Sequence, residues 1–182
     1  SEGSYLVFLD GDCLVQTDFI SQHRKLAKAR HMVTGSRILL SEKLTKTVLS
    51  NNQWNFVDFK NHIFQYRLSG DINKIAQLLI KRSDGSWRNF KRFYWRRIKG
   101  CNMACWKEDA LAINGFDESL VGWAHEDADF VFRLEHHGIQ RKSGSWATEV
   151  IHLYHRVRDQ SLNTVSIERL KEKIKIMQGS SA

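Results

Sequence analysis

Apolar and polar residues alternate in blocks along the chain, and this pattern predicts an α/β protein. The clearest signal is SYLVFL, an apolar and β-prone run whose length suits one buried strand. Further along, apolar stripes at helical spacing alternate with short apolar runs that end at turn residues. The pattern predicts strands at residues 4–9, 31–40 and 149–154, a strand or loop at 98–106, and helices at 18–30, 107–113, 123–137 and 161–177.

Residues 41–99 show little alternation, and the pattern predicts helices at 42–49, 56–68 and 72–81. Residues 81–99 then carry eight basic side chains against one acidic one. A helix from residue 86 would place an aromatic face opposite a basic one, formed by Trp87, Phe90, Tyr94 and Ile98 and by Arg88, Arg92, Arg96 and Lys99. We expect this helix to pack on the core with its basic side in solvent. The alternative is a face that contacts anionic lipid or phosphate.

Composition limits the class of protein. Of the 182 residues, 42% are hydrophobic and 11% aromatic, which suits one globular domain with a real core. No apolar run approaches the roughly 18 residues of a membrane span. The net charge of +8 favours an anionic partner, and because no nucleic-acid-binding motif is recognisable, we expect no nucleic acid among the partners.

The three cysteines are too few, and odd in number, for a disulfide-rich secreted domain. We therefore expect a reducing compartment and a cytoplasmic location, with peripheral contact at the inner face of the membrane if the basic segment binds lipid. No second pair accompanies Cys101 and Cys105, so we interpret these two thiols as structural. A buried strand starts almost at the first residue, and we expect an N-terminal part of the domain to precede it.

The segment Asp10-Gly11-Asp12 follows the first predicted strand directly. In α/β proteins, ligands bind beyond the carboxyl ends of strands. Two carboxylates separated by one small residue can hold a hard divalent cation together with the ligand of that cation. The simpler interpretation is that this segment is only a surface turn. The hydrophobic strand that precedes it argues against that interpretation.

A second acidic cluster lies in GWAHEDAD, residues 122–129, at the start of a predicted helix. Capping and the helix dipole account for one or two of its three carboxylates. Trp123 offers a flat face to a sugar ring, and a neighbouring carboxylate could accept a proton from a hydroxyl group. Further along, either His152 or His155 could complete a metal site that the first acid pair begins.

Taken together, FLDGDC, GCNMACWKEDALAINGFDESLVGWAHEDADFVFRL and VIHLYHRV resemble the family 2 glycosyltransferases of bacteria. The later part is similar to the C-terminal galactosyltransferase-like region that many of them contain. The resemblance implies a GT-A-type α/β fold, a Rossmann-like sheet flanked by helices, here as a partial domain. It assigns residues 1–156 to the C-terminal part of the catalytic domain, with 41–99 as a variable and mostly helical insert. Residues 157–182 are then a charged helix and tail.

The same resemblance implies roles for single residues. Asp10, Asp12 and His152 are placed around Mn²⁺ or Mg²⁺, with His155 as the second choice. The donor sugar is lined by Gly100, Cys101, Asn102, Met103 and Ala104. Trp123 shapes the acceptor site, Asp127 is the general base, and Glu126 holds a sugar hydroxyl.

The resemblance also implies an activity. It is inverting transfer from a nucleotide-diphosphate sugar to a hydroxyl of a glycan or lipid-linked acceptor, in the synthesis of bacterial surface polysaccharide or lipopolysaccharide.

Two other classes remain open on the sequence. A phosphohydrolase of the haloacid dehalogenase type also places Asp-x-Asp after a hydrophobic strand, but its motif usually continues Gly-Thr or Gly-Val. Here Cys13 and Leu14 follow instead. A non-catalytic module that binds anionic surfaces through residues 87–99 is the other alternative.

Overall fold

The computed structural model describes residues 2–50, 54–95, 98–120, 125–156, 168, 171–172 and 174–176. Its strands are β1 (Tyr5–Leu9), β2 (Cys13–Leu14), β3 (His31–Thr34), β4 (Arg37–Leu39), β5 (Asn102–Trp106), β6 (Gln140–Ser143) and β7 (Val150–His152). Its helices are α1 (Phe19–Leu26), α2 (Glu42–Ser50), α3 (Phe56–Asn61), α4 (Ile63–Leu68), α5 (Ala76–Leu79), α6 (Lys107–Ala112) and α7 (Glu126–His136). The expected α/β class is confirmed, with open sheets flanked by helices.

The strands of the described residues form two sheets, ordered β1-β5-β3-β6 and β2-β7-β4. Strand β5 is antiparallel to both of its neighbours, whereas β3 and β6 are parallel. Strands β1, β3 and β6 therefore run in one direction, and their carboxyl ends share an edge with the start of β5. The register confirms this, because Leu9 lies opposite Asn102 and Thr34 lies opposite both Met103 and Ser143.

The single strand predicted at residues 31–40 is two strands in different sheets. Strand β3 belongs to the larger sheet and β4 to the smaller one, with Gly35 and Ser36 between them. The Gly35 amide donates to the carbonyl of Asn102 over 2.7 Å. A Cβ atom on Gly35 would lie 2.2 Å from the Asn102 side chain, so only glycine fits where the chain crosses between sheets.

Replacing Gly35 with alanine is expected to lower the free energy of unfolding by about 1–3 kcal/mol, because the new methyl group overpacks a buried site. Gly11→Ala is the matched control, since a Cβ there meets nothing within 4 Å. Urea unfolding of both variants measures the difference. Equal stability of the two variants would contradict the packing argument.

Two hydrophobic clusters form most of the core. One lies between the larger sheet and α7, and it is built around Met32, Met103, Phe130, Val131, Leu134 and Ile139. The other buries the smaller sheet under helices α2 to α5, and it contains Ile38, Leu44, Phe59, Ile63, Ile72, Leu78 and Ile151. The second cluster shows that the helices of residues 42–79 cover the β2-β7-β4 sheet.

The amphipathic helix expected from residue 86 does not form, and this expectation was wrong. The chain makes one 3₁₀ turn, Ser86–Arg88, and then Asn89 bridges to Lys142 beside β6. Arg88 is 1% exposed, and its guanidinium donates to the carbonyls of Ser143 (2.7 Å) and Ser145 (2.6 Å). A side chain expected on a solvated basic face therefore fixes the loop after β6. Arg96 lies outside the described residues.

Other predicted helices differ from the structure in length. The helix expected at 18–30 is α1, which ends at Leu26, and the one expected at 72–81 shortens to α5. The one expected at 123–137 begins at Glu126. Gly138 follows it with a φ of +82°, the left-handed conformation that commonly ends a helix. The prediction for 161–177 falls mostly outside the described residues, although 168, 171–172 and 174–176 are helical.

No helix in the described part of the chain combines the length and the apolar character that crossing a membrane requires.

Candidate functional site

The two acids that follow β1 lie in a tight turn between β1 and β2. The amide of Cys13 donates to the carbonyl of Asp10 over 3.1 Å, which closes the turn. Strand β2 then pairs with β7 so that Cys13 lies opposite His152. The amide of Leu153 donates to the Asp12 carbonyl over 2.9 Å. This pairing brings the start and the end of the described fold together.

Asp12 faces two imidazole rings. Its Oδ2 atom lies 3.6 Å from Nε2 of His152 and 3.2 Å from Nε2 of His155. One ligand atom from each of the three residues lies within 4.8 Å of the other two. His152 is buried, His155 is exposed, and Asp12 is half-buried, so the group opens to solvent on one side.

Backbone carbonyls set the tautomer of both histidines. Nδ1 of His152 lies 2.9 Å from the Leu153 carbonyl, and Nδ1 of His155 lies 3.0 Å from the Arg156 carbonyl. Since a carbonyl oxygen only accepts, each Nδ1 carries the proton and donates it. In the neutral ring, Nε2 is then left with a free lone pair that points toward Asp12. This is the arrangement of metal-binding histidines.

Burial and charge shift the acid–base behaviour of this edge. Burial lowers the pKa of His152, while the Asp12 carboxylate acts in the opposite direction. Partial desolvation, and then the Asp12 charge, raises the pKa of Asp10, and Asp127 acts in the same direction. Asp10 is thus electrostatically linked to both acidic groups that the sequence singled out.

Asp127 lies at the start of α7, and two backbone amides orient its carboxylate. Its Oδ2 atom accepts from the Gly100 amide over 2.9 Å, and Oδ1 accepts from the Ala128 amide over 2.7 Å. A Cβ atom on Gly100 would lie 3.1 Å from the Cβ of Asp127. The glycine before β5 therefore allows the helix to approach and holds the carboxylate in place.

A cavity of about 790 Å³ lies between Asp10 and α7. Six of the residues predicted from the sequence line it: Asp10, Gly100, Cys101, Met103, Glu126 and Asp127. The Asp12–His152–His155 group lies next to it, beside Asp10. The structure thus gathers both acidic motifs around one cavity, although 115 positions separate Asp12 from Asp127.

Other predicted residues lie elsewhere. Asn102 is fully buried, and its Nδ2 donates to the carbonyls of Ser36 (3.2 Å) and Thr148, which joins the two sheets. Ala104 packs in a small cluster with Leu26 and Ala147. Neither Asn102 nor Ala104 lines the cavity, so their donor-binding roles stay predictions. Trp123 lies outside the described residues.

The cavity also contains residues that sequence reasoning missed. Arg37, the first residue of β4, lines it and acts electrostatically on Asp10 and His152. Lys99 and Trp95 line it as well, and the half-buried Trp95 ring meets the His125 ring edge-on, with 5.3 Å between the ring centroids. The sequence offered an anion-binding face that includes Lys99 only as the alternative to a solvated one, and no local pattern marked Arg37.

A second group of metal-ligand types shares His152. The sulfur atoms of Cys13 and Cys101 and a ring nitrogen of His152 all lie within 4.8 Å of one another. Cys105 instead lies in the core of the larger sheet, where burial raises its pKa to about 12. Both Cys101 and Cys105 are free thiols.

A model of a protein family matches residues 86–178, which is more than half of the chain. The model is described as the N-terminal domain of galactosyltransferase. The matched residues include Gly100, Glu126, Asp127, His152 and His155, whereas Asp10 and Asp12 precede them.

Proposed function

Because the chain belongs to the family described as the N-terminal domain of galactosyltransferase, we propose that it performs metal-dependent, inverting glycosyl transfer. A domain of this family supports a glycosyl transfer role, with a nucleotide-sugar donor and an acceptor as partners. The observation that carries the proposal is the joint placement of the Asp12–His152–His155 group and the oriented Asp127 carboxylate around one cavity.

The ligand atoms of the Asp12–His152–His155 group fit a transition-metal dication. One carboxylate and two imidazoles with free Nε2 lone pairs suit Mn²⁺ better than Mg²⁺, because Mg²⁺ prefers oxygen ligands. Asp12, His152 and His155 would hold the ion, and Asp10 would contact it or the nucleotide from the cavity side. When bound, the ion supplies positive charge that offsets the charge developing on the leaving diphosphate.

Asp127 is the proposed general base. The amides of Gly100 and Ala128 hold its carboxylate toward the cavity, where it takes the proton of the acceptor hydroxyl. The hydroxyl oxygen forms a bond to the anomeric carbon as the bond from that carbon to the diphosphate breaks. A single displacement of this kind inverts the anomeric configuration, by the geometric logic that inverting glycosidases use with water.

The remaining cavity residues are proposed to position the sugars. Glu126 lines the cavity one residue before the base and is proposed to accept a hydrogen bond from a sugar hydroxyl. Trp95 offers a face on which a sugar ring can pack, a role that the sequence suggested for Trp123.

The acceptor is proposed to be a glycan or lipid-linked glycan of bacterial surface polysaccharide, supported by the sequence resemblance alone. Peripheral membrane contact rests on the net charge of +8, because the amphipathic helix expected to provide it does not form.

A donor screen tests the proposal. We expect release of nucleoside diphosphate from one nucleotide sugar, dependent on acceptor and on Mn²⁺, and suppressed by EDTA. Proton NMR of the product should show inverted anomeric configuration. Phosphate release from simple phosphomonoesters without a sugar nucleotide would instead favour the phosphohydrolase alternative, and transfer that is unchanged in EDTA would refute metal dependence.

A further inference from the structure

A second cavity, of about 470 Å³, lies beyond the carboxyl ends of β3 and β6. We call it the basic cavity, and the residues that define it here are Ser36, Arg37, Lys74, Lys99, Ser143 and Ser145. These six are three cations and three hydroxyl donors, and Leu39, Asn73 and Phe90 are among the other residues that line the cavity. None of the described residues that line this cavity is acidic.

The walls of the basic cavity are held rigidly by buried side chains. Arg88 donates to the carbonyls of Ser143 and Ser145, which fixes the loop after β6. Asn102 donates to the carbonyl of Ser36, which fixes the crossing between β3 and β4. The Oγ atoms of Ser36 and Ser143 accept from Lys74 Nζ and from the Ser145 amide, so each of these hydroxyl groups keeps its hydrogen to donate to a ligand. A preorganised wall of this kind lowers the entropic cost of binding.

Lys74 is the cation most closely held in this cavity. It is half-buried, and its Nζ donates to Oγ of Ser36. Burial lowers its pKa, and the acidic group that opposes this shift is Glu149, a buried carboxyl whose own pKa burial raises. A partly desolvated ammonium beside hydroxyl donors gains more from an anion than a fully solvated one does.

The basic cavity adjoins the candidate active site. Arg37 and Lys99 line both cavities, and Lys99 directly precedes Gly100, whose amide orients Asp127. Asp12 of the Asp12–His152–His155 group follows β1, which forms one edge of the larger sheet. The basic cavity lies at the carboxyl ends of β3 and β6, farther along that sheet. A molecule whose hydroxyl meets Asp127 can therefore extend past Lys99 into the basic cavity, on the β3 side of the candidate active site.

From this placement we infer that the basic cavity binds a phosphate group carried by the acceptor substrate. The inference rests on the proposed function, and it adds the substrate class: the glycosyl acceptor is anionic, and its phosphate lies on the side of Asp127 opposite the donor. Arg37, Lys74 and Lys99 supply the charge, and the serine hydroxyls donate the remaining hydrogen bonds. The phosphate belongs either to a phosphorylated sugar or to the diphosphate link of a lipid carrier.

Calorimetric titration with inorganic phosphate tests the site without any transfer reaction. The full chain is used in EDTA, so that no metal ion can bind the phosphate. Lys74→Gln is expected to weaken phosphate binding about tenfold, the effect of one lost hydrogen bond to a charged group. Lys74→Arg should restore much of it. The exposed Lys60 provides the control Lys60→Gln, which should bind as the unaltered chain does.

Phosphate binding that Lys74→Gln leaves unchanged would overturn the inference, as would a complete absence of binding. Asp12→Asn should still bind phosphate, which would distinguish this site from the Asp12–His152–His155 group. Competition by a hexose phosphate or by a short prenyl diphosphate then shows which source of phosphate the cavity accepts.

Kinetics of the active protein distinguish acceptor from donor. Lys74→Gln should raise the KM of a phosphate-bearing acceptor about tenfold and leave the KM of the nucleotide sugar at its normal value. A raised KM for the nucleotide sugar would assign the cavity to the donor and refute the acceptor assignment. If phosphate binds as expected but no sugar is transferred, the proposed function fails while the anion site stands.

Discussion

Asp12→Ala is expected to remove divalent-cation binding and to lower glycosyl transfer by roughly a thousandfold or more, since a catalytic cation contributes several kcal/mol to transition-state stabilisation. Asp12 supplies the carboxylate that both His152 and His155 face, at 3.6 and 3.2 Å. Without it, two imidazoles alone would have to hold the ion. Mn²⁺ binding, followed by electron paramagnetic resonance, measures the first effect, and release of nucleoside diphosphate from the nucleotide sugar measures the second.

The control for Asp12 is Asp58→Ala, which removes an exposed carboxylate from α3, outside the candidate site. It should bind Mn²⁺ and transfer sugar normally. His152→Gln and His155→Gln should each weaken Mn²⁺ binding, because both rings present Nε2 to Asp12. Full Mn²⁺ affinity and full transfer in Asp12→Ala would rule out the proposed metal site.

Asp127→Asn is expected to lower kcat by about 10²–10⁴-fold, the usual contribution of a positioned general base. An amide cannot take the proton of the acceptor hydroxyl. It has nearly the same shape and keeps an oxygen that can accept from the Gly100 amide, while its NH2 group replaces the oxygen that accepts from the Ala128 amide. Binding of Mn²⁺ and of the nucleotide sugar should therefore persist. Steady-state kinetics should show a loss in kcat that exceeds any change in the donor KM.

Glu135→Gln offers a matched control for Asp127, because Glu135 is a half-buried carboxyl on the same helix, α7, away from the cavity. It should retain normal kcat. If Asp127→Asn folds normally by circular dichroism and also keeps normal kcat, then the base must be sought elsewhere, and Glu126, which lines the same cavity, is the alternative on α7.

Short-range signals predicted much of the fold. Strand β1 is a continuous apolar run, and Gly138 follows α7 in the left-handed conformation, so both elements were visible in local sequence. The interpretation of residues 31–40 as one strand failed because the apolar pattern continues across Gly35. What divides that stretch is the approach of the Asn102 side chain, which lies 67 positions away.

The basic segment shows the same limit more strongly. Its spacing favoured an amphipathic helix, but carbonyl groups of the loop after β6 require donors. Arg88 supplies these donors over 2.6–2.7 Å and becomes almost fully buried. Helical spacing cannot reveal this requirement, because the unpaired carbonyls belong to residues more than 50 positions later.

The sequence by itself determined which chemical groups the protein carries: a pair of acids after a buried strand, an acidic helix start, and two late histidines. Only the tertiary structure decided their partners. The pairing of β2 with β7 places His152 and His155 against Asp12, and the close approach at Gly100 orients Asp127. The crossing at Gly35 brings Arg37 between two cavities. The physical reason is that local sequence sets backbone preference and side-chain chemistry, whereas proximity depends on strand register, which contacts across the whole chain select.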